Sequence, residues 1–141
     1  MQLKTSLEHI ERYSAKLWRL HCKENKNEIS LSFNEYDYLK VIQYADEPMR
    51  LTDIATKLEV SKPSASAMIV RLEKRGLIAR LACPEDARVN HVVLTDKAKV
   101  ELDHDDAIYA NFSDEIAGAL SPQEYQQLES LLAKLFTKLT I

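Results

Sequence analysis

Glycine, proline and cysteine are all scarce in this chain of 141 residues, which has two glycines, four prolines and two cysteines. Barrels and sandwiches need many tight turns, so the scarcity argues against an all-β fold and favours a helix-rich one. Two cysteines are too few for a disulfide framework, and we expect a reducing, cytoplasmic setting. No apolar run approaches the roughly 18 residues of a membrane helix, and the charged first residues do not resemble a signal peptide. The sequence predicts no membrane partner.

Motifs for catalysis and for phosphate binding are also missing. The sequence contains no glycine-rich phosphate loop, no H-E-x-x-H and no G-x-S-x-G. Residues 103–106 (DHDD) are adjacent in sequence, but on a helix their side chains do not converge on one point, as a zinc site requires. We therefore expect no enzyme, no cofactor and no metal site.

Positive charge is concentrated in the middle of a chain whose formal net charge is −3. Residues 50–91 carry eight Lys and Arg against five Asp and Glu. Residues 1–49 carry seven against eight, and residues 92–141 carry four against nine. Attraction to nucleic acid depends on the local field and not on the chain average. The basic middle third is compatible with a nucleic-acid partner, and the alternative is chance clustering on a solvated surface.

Apolar residues recur with helical spacing at both ends of the chain. The pattern predicts a helix over residues 3–24, a polar loop over 25–32, and a second helix capped by Ser32 or Asn34 that stops before Pro48. A long helix is predicted from 96 to about 120, and Ser121-Pro122 is typical of the start of a last helix.

Two short helices joined by a tight turn are predicted between residues 51 and 76. Thr52 is the expected N-cap of the first helix, and residues 59–60 form the turn. Ser61 is the expected N-cap of the second helix, with Pro63 in its first turn, and Gly76 ends that helix as a C-cap. This spacing is typical of a helix-turn-helix.

A β-hairpin is predicted directly after this helix pair, with strands over residues 77–81 and 89–94 and a turn over 82–88. The resulting fold class is mainly α with a small β-wing (α+β), which is a winged helix-turn-helix. We assign residues 32–94 to this DNA-binding region. The terminal segments, 1–31 and 95–141, carry apolar stripes too large for so small a core. We expect them to form a helical dimerisation region, because isologous dimers are the commonest oligomers.

The second helix of a helix-turn-helix places its first residues in the major groove of DNA. Here those residues are small and polar, which allows close approach to base edges and phosphates. Arg88 at the wing tip is a cation that can enter a narrow minor groove of DNA. Asp86 can orient that cation or pair with Arg75 or Arg80. The predicted DNA contacts are Ser61, Lys62, Pro63, Ser64, Ser66, Arg71, Arg75, Asp86 and Arg88.

From Leu51 to Leu94 the sequence resembles the MarR family of bacterial winged-helix regulators. The resemblance depends on RLEKRGLIAR (71–80), the D-x-R of the wing (86–88) and the strand ending in LT (94–95), and the flanking helices extend it over nearly the whole chain. One departure is Ala98, where the family often has glycine, and alanine favours a helix there. The resemblance implies a homodimeric repressor on a pseudo-palindromic operator of double-stranded DNA, with Arg88 in the flanking minor groove. It also implies release by a small aromatic, phenolic or lipophilic effector.

Three alternatives concern the signal and the function. Aromatic residues and a histidine suit a planar acidic or phenolic ligand, and they suit a plain core equally well. The candidates are Trp18, His21, Tyr36, Tyr38 and Tyr44. Cys22 lies in the helix where oxidation-sensing relatives carry a reactive thiolate, so a redox regulator is one alternative and a buried small hydrophobe is the other. Cys83 is expected to be exposed on the wing. A winged-helix module that binds proteins and not specific DNA is the last alternative.

Overall fold

The computed structural model describes residues 1–24 and 31–139. The elements are α1 (Leu3–Glu24), α2 (Phe33–Tyr44), β1 (Met49–Arg50), α3 (Leu51–Leu58), α4 (Lys62–Lys74), β2 (Ile78–Ala82), β3 (Asn90–Leu94), α5 (Asp96–Ala119) and α6 (Pro122–Leu139). They fall into two compact units. Residues 26–104 form one, called the head below, and residues 1–25 with 105–141 form the other, called the helical unit. No helix in the described ranges has the length and apolarity needed to cross a membrane.

The predicted fold class is confirmed: helices dominate, and β1, β3 and β2 form one small antiparallel sheet in that order. Strand β1 was not predicted, because two residues are too few to show a period. It pairs Met49 with Val92 and Arg50 with His91. The wing strands β2 and β3 pair from Ile78–Leu94 out to Ala82–Asn90. Of the predicted loop over 25–32, residues 25–30 lie outside the described part of the chain.

Helix starts follow the predicted caps with one exception. Ser32, not Asn34, caps α2, and Ser121 caps α6. In both helices the serine hydroxyl accepts the backbone N–H of the glutamate three residues later, and the side chain of that glutamate accepts the backbone N–H of the serine. The prediction that Thr52 caps α3 is wrong. The helix begins at Leu51, and the Asp53 carboxylate accepts the Arg50 N–H at 3.1 Å, so an acidic side chain inside the first turn replaces the hydroxyl cap.

The core of the head is built where α2, α3, α4, β2 and the first turns of α5 meet. Its largest fully buried apolar side chains are Leu39, Ile54, Ile69, Leu72, Leu77 and Leu102. In α4 the buried residues Ala65, Ile69 and Leu72 form one stripe of the helix, which packs in the same cluster as α3. Because only that stripe is buried, the opposite face of α4 is directed to solvent.

The junction after α4 depends on backbone geometry at Gly76. Its φ of +73° is left-handed, and the Leu77 N–H donates to the Leu72 carbonyl at 3.0 Å, which ends the helix. The Thr95 hydroxyl donates to the Gly76 carbonyl at 2.7 Å and accepts the Ala98 N–H at 3.2 Å. One threonine thus ties the end of α4 to the start of α5.

The two glycines of the chain allow a prediction with a built-in control. Gly76→Ala should destabilise the protein by about 1–2 kcal/mol, because alanine disfavours positive φ. A clash is not the cause, since the nearest side-chain atom to the new Cβ is Lys97 Nζ at 3.7 Å. Gly118→Ala lies inside α5 with nothing within 4 Å, and should stabilise by up to about 1 kcal/mol. Urea unfolding measures the free energy of unfolding of both variants. Equal changes in the two variants would show that the positive φ of Gly76 is not the cause.

Aromatic contacts join α1 to α5 in the helical unit. The rings of Tyr13 and Phe112 lie 5.0 Å apart, and those of Trp18 and Tyr109 lie 6.1 Å apart, edge to face. The Tyr13 hydroxyl donates to the Glu115 carboxylate. Neither α1 nor α6 has a buried residue, so these contacts leave most of the apolar surface of both helices exposed.

Candidate nucleic-acid interface

The start of α4 is held by its own serines and lies open to solvent. Ser61 is the N-cap: its Oγ accepts the Ser64 N–H at 3.2 Å and donates to Ser64 Oγ at 2.9 Å. Lys62 and Pro63 are exposed, and Ser66 is half-buried. The positive end of the helix dipole and the exposed serine hydroxyls make such a terminus attractive to a phosphate. All five predicted residues of this segment thus lie together.

The exposed face of α4 contains residues that the sequence analysis did not single out as contacts. Ala67, Val70 and Lys74 lie opposite the buried stripe and face solvent; Val70 is 36% exposed. A short apolar side chain on such a face can pack against a thymine methyl group. The spacing of these residues from the buried Ala65, Ile69 and Leu72 is the sequence signal that places them on the exposed face.

The wing tip presents one arginine in a fixed orientation. Arg88 has a side chain that is 90% exposed, and Asp86 binds it at two points, with Nε to Oδ1 at 3.2 Å and Nη2 to Oδ2 at 3.3 Å. The Arg88 N–H also donates to Asp86 Oδ1 at 3.0 Å. These hydrogen bonds lower the pKa of Asp86 below its ordinary value. Asp86 therefore orients Arg88, while Arg80 pairs with Glu73 at 3.4 Å.

The two remaining predicted contacts, Arg71 and Arg75, share a buried carboxylate. Glu35 in α2 is 2% exposed, and its side chain accepts from Arg75 and lies 3.6 Å from the Arg71 guanidinium. Burial raises the pKa of Glu35. The hydrogen bonds from Arg75 and from Ser32 more than offset this and leave the pKa below its ordinary value, so the carboxylate is charged at neutral pH. Glu35 lies in the first turn of α2, and its arginine partners could not be predicted from the sequence because both are more than thirty residues away along the chain.

The segment that carries all these residues is similar to a known family. Residues 31–89, from α2 to the wing tip, match the model of the MarR family. The whole chain also has the fold of solved structures of low sequence identity. They include a DNA complex of MepR from S. aureus, with 20% identity over 97% of each chain and a TM-score of 0.70.

Two further fold neighbours come from other organisms. YusO from Bacillus subtilis has 21% identity over 96% of this chain and 92% of its own, with a TM-score of 0.70. A probable transcriptional regulator from Pseudomonas aeruginosa has 25% identity over 95% of this chain and 96% of its own, with a TM-score of 0.63. These likenesses show that the chain shares its winged-helix fold with solved structures along nearly its full length.

The aromatic candidates for a ligand site lie in both units. In the head, Tyr38 is 2% exposed and belongs to the core, while Tyr44 is 75% exposed and Tyr36 is half-buried. Lys40 lies over the rings of Tyr36 and Tyr44 at 5.3 and 5.2 Å. In the helical unit, Trp18 stacks edge to face on His21 at 6.5 Å.

Two grooves in the helical unit differ in charge. One of about 400 Å³ is lined by His21 together with the carboxylates of Glu24, Asp114 and Glu115, which disfavours an acidic ligand there. Another of about 540 Å³ combines the cations Arg12, Lys16 and Arg19 with the rings of Tyr13 and Phe112. This second groove was not predicted, although cations at i, i+4 and i+7 share one helix face and are visible in the sequence.

The two cysteines differ from one another in exposure. Cys22 in α1 is exposed. The expectation that Cys83 is exposed is wrong: it is 5% exposed, and its backbone N–H donates to the Val89 carbonyl across the wing at 2.8 Å. Among the described residues, no three His, Cys, Asp or Glu side chains lie close enough together to hold a metal ion.

Proposed function

We propose that this chain is a MarR-family regulator that binds double-stranded DNA sequence-specifically as a homodimer and acts as a repressor. The observation that carries the proposal is Arg88, exposed on the wing and held by a bidentate pair with Asp86, on the same head as the exposed start of α4. A helix start for the major groove and an arginine for the minor groove are the two reading elements of a winged helix. A fold neighbour, MepR, was solved in complex with DNA, which supports the same partner here.

The dimer is proposed from apolar surface in the helical unit. Large apolar side chains of α1 and α6 are 41–73% exposed; they are Leu3, Leu7, Ile10, Leu20, Leu131, Leu132, Leu135, Phe136 and Leu139. Soluble monomers rarely expose so many apolar side chains on neighbouring turns. We propose that residues 1–31 and 95–141 supply the dimer contacts, and that residues 32–94 contact DNA. A two-fold dimer then presents two heads to the two half-sites of a pseudo-palindrome.

Release by a small effector is the finer part of the proposal. Trp18, His21, Tyr36 and Tyr44 remain the candidate contacts for an aromatic or lipophilic molecule, while the burial of Tyr38 argues against direct contact. For an acidic aromatic effector, the groove with Arg12, Lys16 and Arg19 has the complementary charge. The effector would act by favouring a dimer state that does not fit DNA.

The experiment is fluorescence anisotropy with Arg88→Ala on a duplex that the wild type prefers over scrambled DNA, taken from upstream of its own gene or from in-vitro selection. The variant should weaken binding about 5- to 150-fold, which corresponds to roughly 1–3 kcal/mol. The control is Arg12→Ala, an equally charged change in the helical unit, which should leave the Kd within about twofold. Equal Kd values for Arg88→Ala and wild type would remove Arg88 from the interface. Equal, weak binding of the wild type to both DNAs would favour the protein-interaction module.

A further inference from the structure

The C-terminal end of the DNA-reading helix α4 is attached to α2 through one buried side chain. We propose that Glu35 is a positioning residue for DNA recognition: it holds Arg75 permanently, so that Arg75 supports α4 while Arg71 alone is available to a phosphate. The inference rests on the proposed DNA-binding function. It reassigns one of the two arginines that the sequence placed on DNA.

Both oxygens of the Glu35 carboxylate are engaged. Oε2 accepts from the Arg75 guanidinium. Oε1 accepts the Ser32 N–H at 3.2 Å and lies 3.6 Å from Arg71 Nη2. A carboxylate that is 2% exposed does not leave such partners for water without a desolvation penalty. The attachment between α2 and α4 is therefore a permanent part of the head at neutral pH.

Further hydrogen bonds hold the same end of α4. Lys97 Nζ donates to the Arg75 carbonyl at 3.0 Å, and the Thr95 hydroxyl donates to the Gly76 carbonyl at 2.7 Å. The other end, with Ser61 and Ser64, faces solvent. From Arg75 to Ser64 the helix extends about 16 Å at 1.5 Å per residue, so a tilt of about 10° at the fixed end moves the reading end by about 3 Å. That movement is as large as a hydrogen-bond length and would misalign base contacts.

Exposure separates the roles of the two arginines. The Arg75 side chain is 28% exposed and is bound directly to Glu35, whereas the Arg71 side chain is 61% exposed and lies at the longer distance. Arg71 therefore has both the access and the looser attachment that a phosphate contact needs. Glu35 keeps Arg71 close to one position before DNA arrives, which favours DNA whose phosphates match that position.

The first test compares Glu35→Gln with Glu73→Gln by anisotropy on preferred and scrambled DNA. Both variants lose one negative charge, and Glu73 belongs to α4 itself, where it pairs with the half-exposed Arg80. Glutamine also preserves the capping box at Ser32. We expect Glu35→Gln to reduce the ratio of the affinity for preferred DNA to the affinity for scrambled DNA at least tenfold. Glu73→Gln should keep this ratio within about twofold of the wild type. An unchanged ratio in Glu35→Gln would overturn the proposal.

Salt titrations test the reassignment of the arginines. Arg71→Gln should reduce the slope of log K against log salt by about one, as expected for a lost phosphate contact, and Arg75→Gln should leave the slope unchanged. A slope that falls by about one in Arg75→Gln would show that Arg75 contacts DNA and would contradict its assignment as a support.

A DNA-independent measurement separates this inference from the proposed function. Backbone amides of residues 71–77 should exchange with deuterium at least tenfold faster in Glu35→Gln than in the wild type or Glu73→Gln, while circular dichroism shows the helices retained. Should the wild type fail to bind DNA selectively, the proposed function fails, and the exchange rates still decide whether Glu35 fixes the end of α4. Equal exchange in all three proteins would refute the positioning role.

Discussion

Replacing Leu131 and Leu135 by glutamate should turn the protein into a monomer and reduce operator affinity at least a hundredfold. Both leucines lie on the apolar stripe of α6 and are 65% and 46% exposed in the single chain. In an interface, two unpaired carboxylates per subunit would have to lose their hydration, which costs several kcal/mol. The second head would then no longer bind at the high effective concentration that a dimer supplies, and that contribution is on the order of 10²–10⁴ in affinity.

The matched control for this variant is on the same helix. Gln126→Glu with Ser130→Glu adds the same two charges, also four residues apart, on the opposite, exposed face of α6. Sedimentation equilibrium should show a dimer for the wild type and the control, and a monomer for the leucine variant. Persistence of the dimer in the leucine variant at micromolar concentration would exclude the α6 stripe from the interface.

Arg75→Met should destabilise the head by about 2–3 kcal/mol at pH 7. Removing one partner of a buried pair leaves an uncompensated charge, and typical losses are about 3–5 kcal/mol. The Arg75 side chain is 28% exposed and Arg71 stays nearby, so solvent and the second arginine screen part of the loss. Urea unfolding followed by circular dichroism measures the change.

The stability lost in Arg75→Met should become smaller as the pH falls from 7 toward 4. The pKa of Glu35 in the folded wild type is lowered, so its stabilisation is complete above the unfolded-state pKa of about 4.3 and is lost as the pH falls through the folded value. Without Arg75, burial favours the protonated acid. The difference in free energy of unfolding between wild type and variant should therefore be largest near pH 7 and should decrease toward pH 4. A difference that stays constant with pH would mean that Arg75 stabilises by packing alone.

A double variant completes the test. Glu35→Gln with Arg75→Met removes the buried charge together with its partner, and should recover more than half of the stability lost in Arg75→Met at pH 7. The recovery should shrink as the pH falls, because burial without Arg75 favours the protonated form of Glu35. Additive losses from the two substitutions would show that the side chains do not interact.

Local patterns in the sequence were enough for most of the fold. Hydroxyl caps, proline at a first turn, a single glycine at 76 and β-branched residues at 89–94 act within a few residues of one another, so the helix-turn-helix and the wing were predictable from spacing. The same holds for the start of α4 and the D-x-R of the wing, because Asp86 and Arg88 interact across two residues. The misplaced cap of α3 is a competition between two neighbouring side chains, Thr52 and Asp53, that spacing does not resolve.

Tertiary structure decided what depends on residues distant in sequence. The sequence shows Glu35 as an ordinary first-turn acid, and only the packing of α2 against α4 buries it beside Arg71 and Arg75. Strand β1 exists because β3 lies beside it, and Cys83 is buried in the folded chain although its place in the wing turn predicted exposure. Val70 is exposed because α3 and the core occupy the other side of α4. Burial and ion pairing are properties of the assembled head, since the desolvation that sets them is absent in any isolated segment.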